Sequence, residues 1–146
     1  MKSYESVQSD LKPDGSLRDI YIFQANSDLW NKFINLVSES KLNFEFWHGE
    51  NETPFPNSFE EIKSLQNTDP TTLKIYIEGG IQINCHFFTE EEIEMDVAPK
   101  EISEKTNFDS LVSFLRWLSH ELKTNIHFTH ENSPEEEIMV IGYENV

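Results

Sequence analysis

One cysteine, Cys85, stands in the whole chain, so an internal disulfide is impossible. A single unpaired thiol fits a reducing compartment. No apolar run approaches the length of a membrane span. The opening residues, MKSYESVQSDLKPDGS, lack the apolar stretch of a signal peptide, so a cytoplasmic address is expected. No repeat, low-complexity tract or linker rich in glycine or serine breaks the chain. Basic residues are scarce, with 11 Lys and Arg against 27 Asp and Glu, a formal net charge of −16. That field repels nucleic acid and anionic membrane, because both need a basic counter-surface, and neither is an expected partner. Catalytic signatures are missing too. There is no glycine-rich phosphate loop and no G-x-S-x-G elbow. HFTH at 127–130 is neither HExxH nor its inverse, and on a strand His127 and His130 point apart. His48 and His120 sit in no motif. The residues imply no catalytic group, no cofactor and no particular oligomeric state.

What remains is one domain's worth of chain. At 146 residues it can bury roughly two-thirds of its unfolded surface, so neither disulfide nor structural metal is required. The acid is skewed. Residues 1–75 hold 12 acids and 7 bases, while 76–146 hold 15 acids and 4 bases. Such a charge keeps a protein soluble, and it also speeds encounter with a basic partner.

Residues 1–17 are polar, with a Pro-Asp-Gly-Ser turn signal, and read as a flexible arm; 18–146 read as a single domain. DIYIF (19–23) is apolar at both parities, as in a strand covered on both sides. Asn26 or Ser27 then caps a helix whose Leu29, Trp30, Phe33, Ile34 and Val37 form one stripe. LNFEFW (42–47) alternates as a strand, and 48–57, with two prolines, reads as an irregular loop. Ser58 and Glu61 have capping-box spacing, which predicts a short helix over 59–66. Pro99 closes the next region. A long helix is predicted over 107–123, opened by Thr106 or Asn107, with Phe108, Leu111, Val112, Leu115, Leu118 and Leu122 in line and Phe114 and Trp117 beside them. Strands at 125–130 and 137–143 finish the chain.

Between them, 72–97 reads as a three-stranded meander. A two-residue Gly79-Gly80 loop would put the apolar sets on opposite faces. A three-residue loop, 78–80, pairs Ile77 with Ile81, Ile75 with Ile83 and Leu73 with Cys85 on one face. Ile93, Met95 and Val97 join that face. Cys85 then faces the core while its neighbour His86 faces away, so the two cannot work as a thiolate–imidazole pair. His86 falls between Thr72 and Glu94, and Lys74, Asn84 and Asp96 line up one step along. His86, Glu94 and Asp96 are the residues an acid–base or metal patch would use, since one imidazole and two carboxylates can ligate a cation. An ordinary solvated face with cross-strand charge pairs accounts for the same row. The element order β-α-β-α-β-β-β-α-β-β predicts an α+β fold: one mixed, largely antiparallel sheet backed by helices.

Two segments read as partner-binding. Trp47 stands at the mouth of the 48–57 loop with Glu50, Glu52 and Phe55, an aromatic and acidic group of the kind found at protein interfaces. Glu90, Glu91 and Glu92 begin an acidic ridge, TEEEIEMD (89–96). With its net charge and absence of catalytic motifs, the chain resembles the immunity proteins that accompany bacterial toxins, which are small acidic cytoplasmic α/β proteins. That resemblance implies a binding protein or inhibitor that neutralises a basic protein partner. The alternative is a small enzyme or metal-binding protein built on His86, Glu94 and Asp96.

Overall fold

The computed structural model describes residues 2–143. Its centre is one antiparallel sheet of eight strands: β1 (Arg18–Ile22), β2 (Asn43–His48), β3 (Asn51–Thr53), β4 (Thr71–Ile77), β5 (Ile81–Cys85), β6 (Ile93–Val97), β7 (Ile126–His130) and β8 (Ser133–Ile141). They lie in the order β3-β2-β4-β5-β6-β1-β7-β8. The fold is α+β, and every strand pair is antiparallel, so the expected mixture of parallel pairs is absent among the described residues. The first strand of the sheet lies between β6 and β7, bonded on both sides. All five of its residues are buried: Ile20, Tyr21 and Ile22 by their apolar bulk, and the charged Arg18 and Asp19 with hydrogen-bond partners.

Helices pack on one face. In α2 (Ser27–Glu39), Asn26 accepts the Leu29 amide, and Trp30, Phe33, Ile34 and Val37 are buried. In α3 (Phe59–Leu65), Ser58 accepts the Glu61 amide and Phe59 and Ile62 are buried. The longest helix, α4 (Lys105–Leu122), begins earlier than the apolar stripe indicates. Its cap is Glu104, whose side chain accepts from Asn107 while Asn107 Oδ1 accepts the Glu104 amide at 3.1 Å. Asn107 therefore belongs to the capping box as its third residue, rather than as its opener. These helices meet Ile20, Ile22, Leu73, Ile75, Ile83, Cys85, Met95 and Phe128 in one apolar core. The meander register is the three-residue-loop one: Ile77 opposite Ile81, Ile75 opposite Ile83, Leu73 opposite Cys85. Gly79 and Gly80 both take positive φ (93° and 75°) in that loop, which only glycine does without strain.

Three expectations need correction. Of the expected flexible arm, 1–17, the described residues 2–17 are not loose. A helical turn α1 (Tyr4–Val7) and a 3₁₀ turn (Gln8–Leu11) sink Val7 and Leu11 into the core. Arg18, only 2% exposed, clasps the segment: Nε donates to Asp10 O (2.7 Å), and the terminal nitrogens donate to Lys12 O (3.1 Å), Leu17 O (3.0 Å) and Ser16 Oγ (2.8 Å). The 48–57 loop contains an edge strand, β3, which is polar at every position and so shows no alternation. The last strand starts at Ser133 rather than 137, because Asn132 adopts a left-handed conformation (φ 55°) and the turn is correspondingly tight. Among the described residues no helix is long and apolar enough to cross a membrane.

Candidate functional site

The face of the sheet opposite the helices is polar. One row across it runs Glu45, Lys74, Asn84, Asp96, Asp19, Thr129, Glu137. Beside it stand Trp47 with Thr72, and Glu94 with Tyr21, His127 and Val140. The middle is sunk: Asp19, Tyr21, Asp96 and Thr129 are buried. Burial pushes the Asp19 and Glu94 carboxyls above their ordinary values, since a desolvated carboxylate is costly. Burial likewise pushes the Tyr21 phenol far up, helped by hydrogen bonding to Glu94, and Tyr21 stays a donor, to Asp19 Oδ2 at 3.1 Å. A chain of hydrogen bonds passes along the floor, from Gln82 Nε2 to Asn84 Oδ1 (2.8 Å) and from Asn84 Nδ2 to Asp96 Oδ1 (3.0 Å).

His86 closes that chain. Its Nε2 donates to Asp96 Oδ2 at 2.8 Å. This bond raises the imidazole above its ordinary value, against the opposing effect of burial. Glu94 is drawn instead toward Tyr21. The three residues named for a metal patch therefore do not converge; among the described residues no group of three or more His, Cys, Asp or Glu side chains is arranged to hold a metal ion. Cys85, next in sequence, is fully buried on the other face, and burial drives its thiol far above the range in which a thiolate forms. The histidines of HFTH also part: His127 bonds Glu137 (2.6 Å) and His130 bonds Asp10 (2.9 Å).

The feature sequence reasoning missed is Phe88. It is 59% exposed, the largest exposure among the apolar side chains described. Its ring stacks on His86, centroids 5.1 Å apart and planes within 21°. The backbone explains how it got there. Phe87 takes a positive φ of 62°, a strained conformation for an aromatic residue. That kink drops the Phe87 ring into the core, against Trp30 and Phe46, and turns Phe88 outward. Two side chains of the α3 region hold the kink: Lys63 Nζ donates to Phe88 O (3.1 Å), and Gln66 Nε2 donates to Phe87 O (3.0 Å). The available signal was two consecutive phenylalanines at the end of an alternating strand, which cannot both face the core.

The ridge follows directly. Glu90 and Glu91 are exposed and Glu92 half-buried. Its backbone is anchored while its carboxylates stay out: Trp30 Nε1 donates to Thr89 O (3.0 Å) and Glu90 O (3.1 Å), and the Ala25 amide donates to Glu91 O (2.8 Å). The Trp47 group is not assembled as expected. Trp47 lies on the polar face, opposite Glu52, with Lys74 Nζ 4.7 Å over its ring and its Nε1 donating to Glu45 at 2.9 Å. Phe55 packs on the other side of the sheet against Phe44, Phe46 and Phe87. Glu50 is exposed at the β2–β3 turn. Trp47 and Phe55 therefore cannot form one aromatic anchor, because alternate residues of β2 serve opposite faces. No known protein family, curated protein or solved structure matches the chain.

Proposed function

We propose that this chain is a binding protein that captures a basic protein partner, in the manner of an inhibitor or immunity protein acting in the cytoplasm. The observation that carries this reading is Phe88. A strained backbone is held by Lys63 and Gln66 to present an apolar ring to solvent, on a stacked imidazole, at the start of a run of carboxylates. Burial of the Phe87 ring offsets the local strain in the isolated molecule, whereas the outward Phe88 ring leaves most of its apolar surface in water. Covered by a partner, it becomes a central anchor, worth about 1.5–3 kcal/mol of burial. Glu90, Glu91 and Glu92 then act as a charged rim that steers the encounter. Half-buried Glu94 extends the acid onto the sheet face, where a partner's Lys or Arg can find an acceptor.

The test begins with capture of a partner from the native host by tagged protein, followed by binding kinetics. Phe88→Ala should leave stability unchanged and weaken binding at least about tenfold, mostly through faster dissociation. Charge reversal at Glu90, Glu91 and Glu92 should slow association and flatten its dependence on salt. A partner indifferent to both variants would remove this site from the interface.

A further inference from the structure

At the far end of β5 from Phe88, a cleft of about 800 Å³ opens between the end of α2, the 78–80 turn and the α4 face from Thr106 to Trp117. Its size is in the range of small-ligand sites, roughly 300–1,000 Å³. Leu42, Ile77, Phe114 and Trp117 give it an apolar, aromatic floor. The lining also includes three acids, Glu39, Glu78 and Asp109, against one lysine, Lys41. Asp109 is paired with Lys105 at 2.8 Å, whereas Glu39 and Glu78 take part in no ion pair among the described residues. Two helix ends meet here. The α4 amino terminus would favour an anion, but the Glu104 side chain already caps it. The α2 carboxyl end, at Glu39, adds further negative potential. The walls are fixed without a ligand: Ser110 Oγ donates to Glu78 O (2.5 Å) and Asn107 Nδ2 donates to Gly79 O (3.3 Å), tying α4 to the turn.

We propose that this cleft binds a small organic cation with an aromatic or aliphatic body, the body resting on Leu42, Ile77, Phe114 and Trp117 and the ammonium meeting Glu39 and Glu78. The Trp117 ring offers the cation a π face as well. This site is separate from the Phe88 surface and does not depend on the reading given to it.

Two probes with one body and opposite charge test the assignment: 4-phenylbutylamine and 4-phenylbutyrate, each titrated into the full chain and followed by amide and indole NMR shifts. The amine should shift residues 39–42, 77–79 and 106–117, and bind at least about tenfold more tightly than the carboxylate at low salt. Ser113→Trp, which fills the cleft from the exposed side of α4, should weaken the amine at least about tenfold. Glu78→Lys, at an exposed turn position, should reverse the preference between the probes even if the tryptophan variant misfolds. Equal affinity for the two probes, shifts centred on residues 86–96, or full binding by Ser113→Trp and Glu78→Lys would overturn the proposal. So would a leucine–lysine helical peptide that shifts the cleft residues when the amine does not, since that would make the groove a site for a protein segment.

Discussion

Arg18 and His86 show how much a single side chain decides here. Arg18 is a buried cation whose guanidinium is satisfied chiefly by backbone carbonyls of the amino-terminal segment. Arg18→Met keeps the side-chain volume but leaves the carbonyls of Asp10 and Lys12 without their donor. The expected cost is about 2–4 kcal/mol. Urea unfolding measures it, and hydrogen exchange should quicken selectively over residues 4–12; an unchanged exchange pattern would mean that Val7 and Leu11 hold the segment without the arginine. His86 sets a pH dependence. Its folded value is raised above 6.5 by the bond to Asp96, so its contribution to stability is complete below about 6.5 and is lost as pH rises through the raised value. Asp19 and Glu94 are also raised, by burial, so their ionisation costs stability as pH climbs through the carboxylate range. Both effects favour the mildly acid side. The stability difference between wild type and His86→Gln should be larger at about pH 5.5 than at about pH 9. A difference that does not change with pH would show that the imidazolium–carboxylate pair contributes nothing.

Among the elements, α2 links the core to the acidic ridge. Trp30 is fully buried between Phe59 and Phe87, yet its indole N–H reaches out to the carbonyls of Thr89 and Glu90. Trp30→Phe retains much of the packing and removes the donor. It should cost about 1–2 kcal/mol and speed amide exchange across 89–92, because two carbonyls of the loop lose their partner. Slower or unaltered exchange there would mean that the Ala25 amide alone positions the ridge. The periodic elements were legible beforehand. The stripes of α2 and α4 follow from apolar residues at three- and four-residue spacing, and the β4–β5 register from where Leu73, Ile75, Ile83 and Cys85 must point if they share one core. The edge strand β3 and the first helical turn were not legible, since Asn51–Thr53 and the segment around Val7 offer no periodic pattern. Their pairing and burial come from neighbours distant in sequence.

At the scale of the whole molecule, net charge of −16 governs behaviour in solution. Like charges stand close together at two places: Asp19, Glu45, Glu94, Asp96 and Glu137 share the helix-free face, and Glu90, Glu91 and Glu92 follow one another in the 89–92 loop. Added salt screens their mutual repulsion over a Debye length of about 10 Å at 0.1 M. The melting temperature should therefore rise between low salt and about 0.3 M NaCl, measured by calorimetry. A fall would indicate that favourable ion pairs outweigh the repulsion. The same screening should slow capture of a basic partner, so stability and association rate are expected to move in opposite directions.

The residues alone determined the α+β class, the helix stripes, the meander register and the separation of Cys85 from His86. Each of these follows from local periodicity and the need to bury apolar side chains together. Only the tertiary structure decided that Arg18 clasps the amino-terminal turn, that Trp47 and Phe55 part across the sheet, that Glu94 leaves His86 to Asp96, and that Phe88 stands out in solvent. These outcomes depend on which hydrogen-bonding groups arrive from elsewhere in the chain, and a one-dimensional pattern holds no record of such arrivals.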